Sequence, residues 1–445
     1  MNLFLVVFAI VLLVAQLALP RRFAFLPLLI AAIHFPNSPI IDIGSVSLST
    51  ARLLILAGLI RSATERLGEK SPRSALDSLM LCWACWAVLS TFGHNPKDCN
   101  PLTIRLRTAF DLFGAFLYAR SYLRDYSDFL RFSKCLAVLL VLLAIPMIGE
   151  KLTGRNPYAM LGESGDLSDI RRGRIRAKGP FGGAILAGTA GATLFPLVLA
   201  LRPECPRFAI AGTAACGLIV FCSGSSGPIG SLFFGAVALA VWPWRTRIRL
   251  IRRIVICGLL AMHVFMQAPV WYLLARIDLV GGSTGWHRAE LITQALNHLN
   301  EWWMVGTDET RSWMPYGIEW SASHTDITNY YIWMGVMGGL PLMLLFVAIL
   351  IKAFQLLGRE IRVRRSAGDP VEFSLWCVGS ALFAHSLTFL TIVYYDQNFV
   401  FLCFVLGAVP GLCTGSAWDA ARVPVQSVET LGVEEDVART TAGAL

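Results

Sequence analysis

The chain has 445 residues, 56% of them apolar and only 15% charged, with a mean hydropathy of +0.61 and a formal net charge of +9. Soluble chains carry about 25% charged residues, so an ordinary soluble enzyme is excluded. The apolar residues gather into blocks long enough to cross a hydrocarbon core, which takes about 20 residues in a helix. The composition therefore predicts an all-α polytopic membrane protein with a single membrane domain over 1–413.

The opening run MNLFLVVFAIVLLVAQLALP has no basic residue before its apolar stretch, and Arg21 and Arg22 follow it. It reads as a retained first helix rather than a signal peptide. Further apolar spans are expected at 23–40, 46–60, 75–92, 104–119, 135–149, 180–200, 208–222, 228–243, 254–272, 330–351, 373–393 and 398–413. Together these make thirteen crossings, or twelve if one is re-entrant. The second carries Pro36 and Pro39, and the fifth carries Arg105, Arg107 and Asp111 near its start. Charges that deep are expected to face protein or water. Most of the eleven cysteines lie in or beside these blocks, where a thiol behaves as a small hydrophobe. Cys82-x-x-Cys85 has no second pair to complete a zinc site. Cys99, alone in a loop expected outside, implies no disulfide framework.

Short loops rich in Lys and Arg stay cytoplasmic. Placing Arg21–Arg22 inside also places inside the loops with Arg61 to Arg73, Arg120 to Lys134, Arg202 and Arg207, Arg245 to Arg253, and Lys352 to Arg365. The polar tail 414–445 falls inside as well and reads as disordered. Two long segments are then external, 150–179 and 273–329. The first holds RRGRIRAKGP, with Arg171, Arg172, Arg174, Arg176 and Lys178 within ten residues. That is a charge-rich exception to the usual bias. Glu163, Asp166 and Asp169 lie close enough to neutralise part of it, which would leave a solvated face. Against that, arginine offers a rigid fork suited to phosphate oxygens, and the run abuts an apolar helix. An anion bound there is expected at the depth of a lipid phosphate or diphosphate.

Three motifs carry the chemistry. In RAKGPFGGAILAG, Gly179, Gly182 and Gly183 allow close backbone approach, Pro180 suits the first turn of a following helix, and the start of that helix would add to an anion site. Gly188 and Gly191, with Ala184, Ala187 and Ala190, read as helix-packing positions. In the second external segment, Ala289, Leu291, Ile292, Ala295, Leu296 and Leu299 recur at helical spacing. This predicts an amphipathic helix on the membrane surface, capped by Ser283 or Thr284, with Trp302 and Trp303 as interface anchors. Arg288 falls in its first turn, where a cation opposes the helix dipole. The alternatives there are a ligand contact or an arginine snorkelling to headgroups. Last, His324 precedes the apolar span at 330, with Asp326 and Asn329 beside it. A histidine at a membrane rim is suited to proton transfer near neutral pH, though a lone histidine also serves as a cap. Asp326 would share its face only in an extended loop.

An Arg-x-x-Gly-x-Phe before a Gly-rich helix, an Arg opening a large outer loop, and a His just before a helix reading Gly-x-x-Gly occur here in that order. The residues are Arg176, Gly179 and Phe181; Arg288; and His324 with Gly335 and Gly338. In this the chain resembles the O-antigen ligase-related family of membrane glycosyltransferases, which includes O-antigen ligases and polymerases. The resemblance covers about 46–410 in topology, with a core near 170–350. It departs from the family where Ser226 is followed by Gly227, where Gly306 is followed by Thr307 and Asp308, and where Met334 precedes a glycine.

The resemblance implies a GT-C-like helix bundle in a bacterial inner membrane with its site on the periplasmic face. It implies an undecaprenyl-diphosphate-linked glycan donor, a glycan or lipid acceptor, and no cofactor or metal. Arg176 and Arg288 would take the departing diphosphate, His324 would act as general base, and Arg174, Lys178, Gly179, Asp326 and Asn329 would line the substrate site. Inversion by single displacement is the expected outcome. A polymerase extending lipid-linked chains, or a transporter of lipid-linked sugars, is the alternative; a nucleic-acid partner is not expected.

Overall fold

The computed structural model describes residues 3–36, 39–43, 46–65, 73–94, 100–161, 167–276, 285–395 and 397–421, with 3, 39–43, 46–47 and 414–421 described by their backbone alone. Glu163, Asp166, Cys99, Ser283, Thr284 and the tail beyond 421 lie outside the described residues.

The chain is a helical bundle. Helix α1 (Leu3–Ala18) and α2 (Leu26–His34) are followed by a short hairpin, β1 (Pro39–Ile43) and β2 (Val46–Ser49), and then by α3 (Thr50–Glu65). Helices α4 (Ala75–Leu89) and α5 (Pro101–Ala109) come next. A π-turn over Phe110–Gly114 joins α5 to α6 (Ala115–Tyr122), and α7 runs from Tyr126 to Thr153. A second hairpin, β3 (Asp169–Arg171) and β4 (Arg174–Arg176), precedes α8 (Ala184–Leu199), α9 (Pro206–Ser223), α10 (Ser226–Ala240) and α11 (Ile248–Phe265). Short α12 (Leu273–Arg276), α13 (Gly285–Asn297) and α14 (Leu299–Trp302) build the second long segment. The chain then enters α15 (Tyr330–Ser366), α16 (Val371–Thr388) and α17 (Asn398–Ala421).

Local chemistry sets several of these boundaries. Ser74 and Asp77 form a reciprocal capping box on α4, and Asp125 caps α7. Gly154, at φ 70°, ends α7 in the left-handed conformation that a residue without Cβ adopts freely. In the interior, α8 packs against α9, α10 and α16 and is buried along almost its whole length. Its small residues permit this: a Cβ at Gly191 would press on the Cys216 carbonyl and the Ile219 side chain. The rest of the core gathers the rings of Phe346, Phe389 and Tyr394 around Tyr330.

Among the described residues, four helices are long and apolar enough to cross a membrane: Ala75–Gly93, Tyr126–Thr153, Pro206–Ser223 and Tyr330–Ser366. A fifth arises if Trp242–Phe265 and Val270–Arg276, bent by 98°, count as one broken span. Four shorter apolar helices match the expected spans near 2–19, 180–200, 228–243 and 398–413. The molecule is a membrane protein built as an all-α bundle.

Several boundaries differ from the sequence reading. The second expected span stops as α2 at His34, because Pro36 cannot continue it, and the residues expected to begin the third form β2. The last helix continues to Ala421, beyond the expected end at 413.

The largest correction concerns α15, expected as one continuous span. It breaks at Gly338 and Gly339, the latter at φ 76°. Four of the backbone groups at the break find partners elsewhere in the chain. The Met337 carbonyl accepts from the Arg105 guanidinium at 2.8 and 3.1 Å, and the Gly338 carbonyl accepts from the Trp86 indole at 2.8 Å. Thr307 N–H donates to the Val336 carbonyl at 3.0 Å, and Leu340 N–H donates to the Trp303 carbonyl at 2.8 Å. A break inside an apolar span survives only with such replacement partners. Here they fasten the segment after α14 into the bundle.

Candidate functional site

Glu150, near the end of α7, is fully buried and organises the first motif. Its carboxylate accepts the backbone N–H of Lys178 at 3.0 Å, that of Gly179 at 2.8 Å and the Ser168 hydroxyl at 2.9 Å. Charge-assisted bonds of this kind are the strong ones. Asn156 donates to the Gly179 carbonyl at 2.9 Å, Lys151 donates to the Ile175 carbonyl, and Ala177 N–H donates to the Cys222 carbonyl. Gly179 has φ 56°, a conformation that favours glycine. Pro180 sits in the turn after it rather than in the first turn of a helix, since α8 starts only at Ala184.

These anchors aim Arg176 at the start of α10. Its guanidinium donates to Ser225 Oγ at 2.5 Å. Ser225 stands at the N-cap of α10, but its side chain does not cap the helix. It bonds back to the Ser223 carbonyl instead. The first N–H groups of α10 therefore keep their positive pole. Arg288, on α13, reaches the same place: its Nη2 lies 4.0 Å from where a Cβ on Gly227 would stand. Thus the helix start that joins the cluster belongs to α10, not to the helix after Pro180.

The electrostatics of the two arginines match. Each has a pKa lowered first by burial and then by the charge of Arg171, partly offset by Asp169 for Arg176 and by Asp326 for Arg288. Each also has a buried Nε with no hydrogen-bond partner among the described residues. Three like charges and two buried donors without acceptors form an unfavourable arrangement for the chain alone. Multiple anionic oxygens would relieve it.

Asp326 faces this cluster. Its pKa is raised by burial, against the opposing charges of His287 and Arg288. His287 donates from Nε2 to the Asp326 carbonyl at 2.8 Å, which ties α13 to the loop before α15. Glu319 and Thr325 form an isolated antiparallel bridge. The chain on either side of Thr325 is non-helical, the kind of loop in which His324 and Asp326 were expected to be able to share a face.

His324 itself turns toward Thr310, whose Oγ1 lies 3.2 Å from Nδ1. Burial lowers its pKa below 6.5, opposed by Asp308 and Glu309, so the ring is neutral at pH 7. The neutral ring keeps one basic nitrogen able to take a proton. His324 thus forms a second patch, joined to the arginine cluster through Asp326 and His287.

The remaining expected residues are placed as follows. Arg174 is exposed on β4, and Lys178 is half-buried with its backbone on Glu150. Asn329 is buried, and its amide oxygen caps α15 by accepting from Tyr331 and Ile332. Trp302 is no interface anchor: its indole donates to the Ala295 carbonyl and its ring fills the space left by Gly335. Trp303 is half exposed. Sequence reasoning missed Glu150, Ser225, Gly227 and Thr310 as parts of the site. An acidic residue late in an apolar helix was the one available signal, and it pointed to Glu150.

No family model matches the chain, and none of the curated proteins is a match to it.

Proposed function

We propose that the protein is a membrane glycosyltransferase of the O-antigen ligase type. It would move a glycan from an undecaprenyl-diphosphate carrier to an acceptor hydroxyl at the external face of a bacterial inner membrane. The observation that carries the reading is the meeting of Arg176 and Arg288 at the start of α10, each with a buried donor that no acceptor among the described residues satisfies. Breaking the anomeric carbon–oxygen bond leaves negative charge on the diphosphate. Preorganised cations and a helix start aimed at that charge lower the barrier, commonly the largest catalytic contribution. His324 takes the proton of the incoming hydroxyl, a contribution of about 10²- to 10⁴-fold.

The carrier lipid would lie against an apolar wall. An apolar cleft of about 350 Å³ is lined by Phe8, Phe35, Pro146, Tyr158 and Leu161 among others. It adjoins the Arg176–Gly179 segment through Asn156, which bonds both the Gly179 carbonyl and the Tyr158 amide. An isoprenoid chain suits such a surface. The finer architecture that goes with this reading is the GT-C-like bundle of twelve to thirteen crossings.

The test is product formation by the purified protein with a lipid-diphosphate-linked glycan. Release of the lipid diphosphate together with glycan on a new acceptor supports the reading, and failure to consume the donor ends it. A ladder of lengthening lipid-linked chains would favour the polymerase alternative. Movement of intact donor across a vesicle membrane would favour the transporter.

A further inference from the structure

Helix α11 is held differently from the rest of the bundle. Its main contacts are with the turns at its two ends, and none of its residues is buried. Ile254, Val255, Ile256, Leu259, Leu260, Met262, Val264 and Phe265 are all more than 40% exposed. At 100° per residue these positions cover every direction around the helix axis. A protein partner covers one face of a helix; only lipid chains cover all of them.

The opposite end is strongly basic. Arg249, Arg252 and Arg253 stand at i, i+3 and i+4 and so share one face, with Arg247 just before them. No Asp or Glu occurs from Cys205 to Ile277. Arg245 is held by Glu372 and by the Trp242 ring, which fixes the root of the helix to α16. Among the described residues, the other four arginines have no acidic partner. Trp244, 56% exposed, stands at the same level, where tryptophan marks a membrane interface.

We propose that α11 is a binding site for anionic phospholipid, with Arg249, Arg252 and Arg253 gripping the phosphodiester headgroups and the apolar length from Ile254 to Phe265 lying among the acyl chains. The charge is complementary, and the all-round apolar exposure selects lipid over a second copy of the chain. The lipid would also steady the functional region, because α11 leads through α12 to α13, on which Arg288 sits. The lipid-binding claim does not depend on the glycosyltransferase reading.

The experiment uses the full chain purified in detergent and incubated with phosphatidylglycerol or phosphatidylcholine, with bound lipid counted by native mass spectrometry. The wild type should retain phosphatidylglycerol in preference to phosphatidylcholine, less so at high salt. Replacing Arg249, Arg252 and Arg253 by Gln should reduce that preference by about fivefold per charge removed. Replacing all three by Lys should preserve it. Equal retention of the two lipids by the wild type, or an unchanged preference in the triple Gln protein, would overturn the proposal. So would a dimer that forms through α11 without any lipid preference.

Discussion

His94, just beyond α4, and Asp308, in the segment after α14, meet at 2.5 Å between Nδ1 and Oδ1, while the other ring nitrogen of His94 lies 2.7 Å from the Val305 carbonyl. The Val305 carbonyl can only accept, so Nε2 donates to it, while Nδ1 shares a hydrogen bond with the Asp308 carboxyl. The pair pins residues 305–308 to the bundle, two residues before the Thr310 that orients His324. Gly93 makes room for this, since a Cβ there would collide with Val305.

Substituting His94→Ala removes both bonds and leaves the pinned segment without its anchor. We expect a loss of about 1–3 kcal/mol of stability, read as a lower midpoint of thermal unfolding in detergent. Transfer should fall at the same time, because Thr310 and His324 lose their fixed position. A variant with unchanged unfolding would show that the contact holds nothing in place.

Glu150→Ala tests the anchor of the arginine hairpin. It leaves the amides of Lys178 and Gly179 buried without an acceptor, at about 1–3 kcal/mol for each. The total lies in the severe range for a point substitution. Unfolding midpoints measured beside those of Leu152→Ala, an exposed neighbour, would give the comparison. Similar midpoints for the two would refute the anchoring role.

Arg288→Ala should separate stability from function. It relieves burial of a charge and repulsion from Arg171, so the unfolding midpoint should stay the same or rise. Transfer should drop by about 10²- to 10³-fold, as for loss of one preorganised donor. Arg288→Lys keeps the charge without the fork and should recover only part of the rate. An alanine variant with wild-type product levels removes Arg288 from the chemistry.

The pH dependence follows from the direction of the His324 shift. Its pKa is lowered from 6.5, so the neutral, proton-accepting ring predominates above that value and persists somewhat below it. Transfer should be flat near neutrality and fall only as pH drops through the lowered pKa. The stability contribution has the same sign: a histidine buried neutral destabilises the fold once pH falls below 6.5, because the unfolded chain binds the proton more readily. An acid limb centred above pH 6.5 would be inconsistent with His324 as the base.

The sequence by itself determined that the chain is helical and lives in a membrane, and it picked out Arg176, Arg288, Asp326 and His324. It did so because hydropathy, helical period and unpaired charge in apolar surroundings are local properties. The helix over 285–297 was legible for the same reason: Ala289, Leu291 and Ala295 belong to its apolar pattern and are among the residues it buries. Only the tertiary structure decided where the arginines point. Arg176 and Arg288 converge on Ser225 and Gly227, residues from a third segment whose own sequence is unremarkable. It also decided that Trp302 packs inside on Gly335, that α15 breaks where Arg105 and Trp86 take its carbonyls, and that Glu150 holds the hairpin. Each of these depends on partners far away in the chain, such as Arg105 and Met337 at a separation of 232 residues. A local pattern carries no information about which distant donor will meet which freed acceptor; packing the helices together is what selects the pair.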